Sequence, residues 1–282
     1  MPRPRTEALR IAERWKLGIE HVPPRGSAGE RLGRGTGASL EFQDRRAYSI
    51  GDDVRHVDWR ALARTDQWMV RLWREEVLAR VELLVDASRS MAVDSNKAQL
   101  AVDLAAVLSI AAAEAGATPV LIRLGDEPRK LAQGELLRDG LEFDSRVPLA
   151  DALRAATGLL RSGSIQIVVS DFLSPHDAAA LVRPLGARAG VLALLQVLAP
   201  EEEAPPVGEA HRLIDCESGE TLDVVLDATT TSRYVERLRR LCSALDVESR
   251  RARGRFVSVS SGHSLESLCR ERLAREGLLE PR

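Results

Sequence analysis

Long hydrophobic stretches are missing from this chain: no apolar run approaches the roughly 18 residues that a bilayer-spanning helix needs. The N-terminus, MPRPRTEALRIAERWKLGIEH, has no apolar core of the kind a secretory signal carries. Neither membrane insertion nor export is expected, and the expected location is cytoplasmic. Cysteine is scarce: Cys216, Cys242 and Cys269 are odd in number and widely spaced, with no CxxC pair and no Cys/His cluster. That excludes a zinc site or a disulfide framework and predicts reduced, buried thiols. An excess of charge is also lacking, since 40 Lys+Arg against 42 Asp+Glu give a formal net charge of -2. Nothing in that balance pulls the protein toward nucleic acid or an anionic membrane. The basic residues near the N-terminus (Arg3, Arg5, Arg10, Arg14, Lys16) are mixed with acidic ones and read as a solvated helix face. No nucleophile elbow, HExxH or phosphate-binding loop is present; GERLGRGTG follows no strand and lacks the GK[ST] ending. The chain is therefore expected not to be an enzyme.

What is present suits a packed core: 44% of the 282 residues are hydrophobic and 29% charged. An amphipathic helix is predicted over Thr6–Leu17, followed by the glycine-rich RGSAGERLGRGTGASLEF. Aromatic residues are only 4% of the chain, yet Trp59, Trp68 and Trp73 stand close together, with Trp15 the fourth tryptophan. This clustering predicts that residues 1–78 form an appendage packed on a main domain rather than a disordered tail.

From residue 79 short apolar runs alternate with helix-length segments. Strands are predicted at Val81–Val85, Pro119–Leu124, Ile165–Ser170, Val191–Val197 and Phe256–Val259, with helices at 97–115, 149–160, 177–185, 231–250 and 264–273. EEEAPP reads as an exposed acidic loop, and HRLIDCESGETLDVVL as a β-hairpin inserted near 211–226. The alternation predicts an α/β fold, a mainly parallel sheet with helices on both faces.

Ligands of such sheets bind beyond the carboxyl ends of the strands. Asp86 ends the first main-domain strand and opens Asp-x-Ser-x-Ser (Asp86, Ser88, Ser90), while Asp171 ends IQIVVSD. Carboxylates and hydroxyls are the oxygen donors that Mg²⁺ prefers. Asp and Ser also cap helices, so the motif alone is weak. Here the chain resembles the von Willebrand factor A domain and its metal-ion-dependent adhesion site. The resemblance implies Asp86, Ser88, Ser90 and Asp171 as metal ligands, with Mg²⁺ as the ion. It departs from the pattern on the third loop, DSRVPLADAL, where Val147 or a neighbour replaces the family's threonine and Ser145 is the nearest hydroxyl. The implied site is therefore a degenerate one.

A longer signature runs through residues 34–76: Glu41-Phe42, Arg46, Tyr48, Gly51-Asp52-Asp53, Arg55, Val57-Asp58-Trp59, Ala63-Arg64 and Glu75. It is similar to that of the domain of unknown function 58 family, von Willebrand A-like proteins associated with MoxR-type AAA+ ATPases. Arg46, Arg55, Arg60 and Arg64 interspersed with Asp52, Asp53 and Asp58 predict ion pairs tying this segment to the main domain, with Gly51-Asp52 in a turn and Trp59 and Trp68 as apolar anchors. The resemblance implies an interaction module that works with such an ATPase, or with client proteins, in chaperone-like assembly or maturation. The alternative is a metal-dependent hydrolase, with Asp86 and Asp171 binding the ion and His56 or Asp58 as base.

Overall fold

The computed structural model describes residues 1–19, 40–75, 79–132, 134–174, 176–208, 210–216 and 219–282. The glycine-rich segment and GERLGRGTG lie in or across the remainder. In chain order the elements are α1 (Thr6–Ala12), β1 (Trp15–Leu17), β2 (Leu40–Ala47), α2 (Trp59–Thr65), β3 (Met69–Glu75), β4 (Arg80–Asp86) and α3 (Ser95–Glu114). Next come β5 (Thr118–Leu124), β6 (Arg129–Lys130), α4 (Glu135–Asp139), α5 (Leu149–Ala156), β7 (Ile165–Ser170) and α6 (Ala178–Gly186). The chain then forms β8 (Val191–Leu198), α7 (Pro200–Glu203), β9 (Ala210–Ile214), β10 (Thr221–Val225), α8 (Ala228–Arg251), β11 (Arg255–Ser260), α9 (Leu265–Leu268) and β12 (Leu279–Pro281).

Two compact units result, Met1–Arg25 with Ala79–Arg282, and Gly26–Leu78. The boundary expected at residue 78 is thus corrected at its N-terminal side. Ala8, Ile11, Ala12 and Leu17 are buried in the same cluster as α3, so the first residues belong to the larger unit. The predicted helix over 6–17 is also shorter. It stops at Ala12, and Trp15–Leu17 pairs antiparallel with β12. Burial there alternates, with Lys16 exposed and Leu17 buried, which is a strand's period of two and not a helix's 3.6.

The larger unit is built on a six-stranded sheet in the order β11-β8-β7-β4-β5-β6. Every pairing is parallel except that of the short edge strand β6. Strand order reverses at β4, as in doubly wound α/β folds, and the expected von Willebrand A-like architecture is what forms. Successive side chains of a strand serve opposite faces. Leu83 and Val85 enter the cluster around α3, while Leu84 enters the one formed with α5, α6 and α8. β7 divides likewise, Ile167 and Val169 against Val168.

α3 is apolar nearly all round and has buried residues on every turn, the mark of a core helix. Among the described residues it alone is long and apolar enough to cross a membrane, and 72% of that stretch is buried inside the protein. The predicted hairpin forms as β9 paired antiparallel with β10, Thr221 opposite Ile214. EEEAPP is not a simple exposed loop: Pro200–Glu203 is a helical turn whose Glu202 turns inward. Of the three free cysteines only Cys269 is buried, Cys216 and Cys242 being partly exposed.

The smaller unit is an antiparallel pair, β2 with β3, interrupted by α2.

Candidate functional site

β4 and β7 are neighbours with Val85 opposite Val169, which brings Asp86 beside Ser170 and leaves Asp171 just beyond the strand end. Both carboxylates are therefore delivered by the sheet to the switch point. Asp86 Oδ2 accepts a hydrogen bond from the Ser170 hydroxyl at 2.6 Å, and Oδ1 accepts one from the Ser88 N–H at 2.9 Å. Asp171 Oδ1 accepts from the Leu173 N–H at 3.0 Å, and its carbonyl accepts from Gln196 Nε2 at 2.8 Å. The next residue, Phe172, is fully buried with φ 55°, a left-handed conformation that is strained for a bulky side chain. Packing of that ring into the α5–α6 core holds the bend that follows Asp171.

Ser88 and Ser90 lie on the loop after β4, with their Oγ atoms 2.9 Å apart. Asp86, Ser88 and Asp171 are buried, and Ser90 is partly exposed. The four sequence-derived residues thus come together, with Ser90 nearest solvent.

Two further charged groups complete the cluster, and neither was foreseen. Lys97, in the first turn of α3, is fully buried, and its Nζ donates to Ser90 O at 3.0 Å, Asp171 Oδ2 at 2.8 Å and Glu202 Oε1 at 2.7 Å. The other Glu202 oxygen accepts from the Ala199 N–H, and the Glu202 carbonyl accepts from the Tyr234 hydroxyl. A lysine behind a polar loop and a glutamate in an acidic run both read as solvated. The signal available was Lys97's place in the first turn of a largely apolar helix that follows the site loop directly.

Burial, and then the nearby charge of Asp171, push the Asp86 carboxyl up to about 6 despite the donors from Ser170 and Ser88. Burial likewise raises Glu202. For Lys97 burial acts downward, but the charges of Asp171 and Glu202 outweigh it and the net direction is up. Burial, followed by the Glu202 charge, pushes the Tyr234 phenol up to about 12.

The oxygen set suits a small divalent cation on one geometric point. The two serine hydroxyls hydrogen-bond each other at 2.9 Å, and the cis ligands of an octahedral Mg²⁺, each at about 2.1 Å, stand about as far apart, so an ion can replace that bond without moving the oxygens. Asp86, facing only neutral donors, is the carboxylate left in need of a cation. The third loop adds no oxygen. Ser145 does reach the site's edge, its backbone bridging Ser88, but its hydroxyl donates to Asp126 and accepts from the Val147 N–H. Val147 itself packs into the core beside α5. No cluster of three or more His, Cys, Asp or Glu suited to a metal occurs among the described residues.

In the smaller unit ion pairs of the expected kind form among the described residues. Arg46 grips Asp52 with two bonds of 2.6 and 2.5 Å, and Arg55 grips Asp53 at 2.7–3.1 Å. Arg46, with help from the Ser49 N–H, holds the Asp52 carboxyl down to about 2. Gly51 sits in the turn between them at φ 108°, which a side chain would strain. Buried Asp58 caps α2, accepting from the N–H groups of Arg60 and Ala61, and Arg64 Nε donates to the Arg60 carbonyl. That cap is the structural role seen for Asp58; the side chain of His56 lies outside the described residues. Trp59 and Trp68 are about half exposed, 56% and 50%, and are not buried anchors. Trp68 instead packs against Trp59 and Tyr48, with ring centroids 6.0 and 5.8 Å away.

Among relatives, an uncharacterised protein of Mycobacterium bovis and one of Mycobacterium tuberculosis are each 32% identical over 220 residues, covering 71% of this chain and 68% of theirs. Three solved structures are similar at lower identity. BatB from Bacteroides thetaiotaomicron is 15% identical with a TM-score of 0.42, covering 70% of this chain and 98% of its own. An aerotolerance-related membrane protein from Bacteroides fragilis is 13% identical with a TM-score of 0.41, covering 71% and 98%. Proximal thread matrix protein 1 of the mussel byssus, with a zinc-occupied MIDAS motif, is 12% identical with a TM-score of 0.37, covering 73% and 47%. The family described as "Protein of unknown function DUF58" matches residues 44–242, and this chain belongs to it.

Proposed function

We propose that the chain is a non-enzymatic, cytoplasmic protein-interaction module whose docking point is the mouth of the Asp86–Asp171 cluster. The partner is a MoxR-type AAA+ ATPase or a client protein, and the task is chaperone-like assembly or maturation. The observation that carries this reading is a buried Asp86 that accepts only from the neutral Ser88 N–H and Ser170 hydroxyl, beside two serine hydroxyls hydrogen-bonded to each other. On this reading Ser88 and Ser90 hold Mg²⁺ directly, with Asp86 and Asp171 balancing its charge. When bound, the ion supplies a Lewis-acidic position that a carboxylate from the partner can complete. The protein's own contribution is positional: the β4–β7 pairing sets the two carboxylates, and the Ser88 N–H and Ser170 hydroxyl fix the Asp86 rotamer. The ATPase assignment rests on the family resemblance carried by Gly51-Asp52-Asp53, Arg55 and Asp58-Trp59.

A pull-down with a MoxR-type AAA+ ATPase from the same organism tests the proposal. Retention of the ATPase in Mg²⁺, lost in EDTA and lost for a folded Asp86→Ala variant, is the expected result. Retention unaffected by both treatments removes the ion from the interaction.

A further inference from the structure

Lysines ordinarily keep their ammonium in water and bury only the stem. Lys97 does the reverse, for it is fully buried and each of its three N–H donors has an acceptor. Those acceptors come from three separate segments: the carbonyl of Ser90 on the loop after β4, the carboxylate of Asp171 after β7, and Glu202 on α7. Glu202 is itself fixed, through the Ala199 N–H and, on its carbonyl, the Tyr234 hydroxyl of α8. The ammonium is thus the shared tie of a built cage. Asp86 lies outside its reach and faces only neutral donors, Ser88 and Ser170.

The charges divide accordingly. Asp86, Asp171 and Glu202 carry three negative charges when ionised, and Lys97 one positive, which leaves two for a single divalent ion. Such an ion, held by the serines and Asp86, would share Asp171 with the ammonium, and two cations on one carboxylate repel.

We infer that Lys97 is an affinity-setting residue: a resident cation that holds Asp171, Glu202 and the serine loop in place without metal, and keeps divalent-ion affinity low enough that a partner's carboxylate is needed for tight binding. The inference rests on the divalent-ion reading of the Asp86 site and adds what regulates it.

The test is Mn²⁺ binding to the full chain, followed by the paramagnetic resonance of the free ion, together with thermal unfolding in EDTA and in Mn²⁺. Lys97→Met is expected to bind Mn²⁺ at least tenfold more tightly than the wild type, to melt lower in EDTA, and to recover more of its melting temperature on adding the ion. Glu202→Gln removes one negative charge while leaving the ammonium, and is expected to bind at least threefold more weakly. Equal or weaker binding by Lys97→Met, with the wild type binding measurably, overturns the role of Lys97 and leaves the ion site standing. No binding by the wild type or either variant at millimolar Mn²⁺ overturns the site reading and this inference with it. Should Lys97→Met fail to fold, Glu202→Gln decides, and unchanged or tighter binding counts against the inference.

Discussion

Asp86 keeps both carboxylate oxygens hydrogen-bonded and is still held at about 6, against a reference value of 3.8 for the free side chain. Hydrogen bonds from Ser88 and Ser170 favour its charged form, but burial and the charge of Asp171 outweigh them. The sign of the stability effect follows. Between about pH 4 and pH 6 the folded protein holds a proton that the unfolded chain has released, so stability falls as pH rises through that window. Two pKa units correspond to about 3 kcal/mol, as an order of magnitude. In EDTA, Asp86→Asn is therefore expected to unfold at higher urea than the wild type at pH 7.5, with the difference shrinking toward pH 4. The same variant should gain nothing from Mg²⁺. Equal pH profiles for the two proteins would show that Asp86 is not the strained group. Asp86, Ser88, Ser90 and Asp171 were legible in the sequence because each lies at or just after an apolar strand, where the chain order alone locates it. Lys97 and Glu202 were not, since a charged residue's burial depends on which segments fold over it, and here those segments are 105 residues apart.

At the scale of elements, α3 organises the larger unit. Asp94 caps it by accepting from the Lys97 N–H at 2.7 Å, which also sets the turn from which the Lys97 side chain enters the site. Asp94→Ala should cost about 1 kcal/mol in chemical denaturation, the usual worth of such a cap. Midway along the helix, buried Asp103 accepts from both the backbone N–H and the Nε of Arg5, fastening the chain's start ahead of α1. Asp103→Ala is expected to lower stability by about 1–3 kcal/mol by removing the hydrogen bonds to a charged carboxylate. It should also speed proteolysis before Trp15, and an unchanged cleavage rate would contradict this role. The parallel strands and long helices were legible because their apolar periods are unambiguous. The short pieces were not: β1 is three residues and is defined by its distant partner β12, and α7 hides in an acidic run. β6, a two-residue edge strand, carries no pattern of its own.

For the molecule as a whole, the sheet order places the reversal at β4 and so makes the Asp86–Asp171 mouth the natural ligand point of the fold. The signature segment forms a separate unit whose ion pairs, turn and helix cap stabilise its own shape. Its exposed side holds Tyr48, Trp59 and Trp68 in one aromatic cluster. The central claim is that a partner docks at the Asp86 site through a divalent ion. The most direct measurement is the affinity of a MoxR-type AAA+ ATPase, the proposed partner, for the wild type and for Asp86→Ala, each in Mg²⁺ and in EDTA. The account predicts that the wild type in Mg²⁺ binds at least tenfold more tightly than the other three combinations, which should agree with one another. Equal affinity in all four would contradict it.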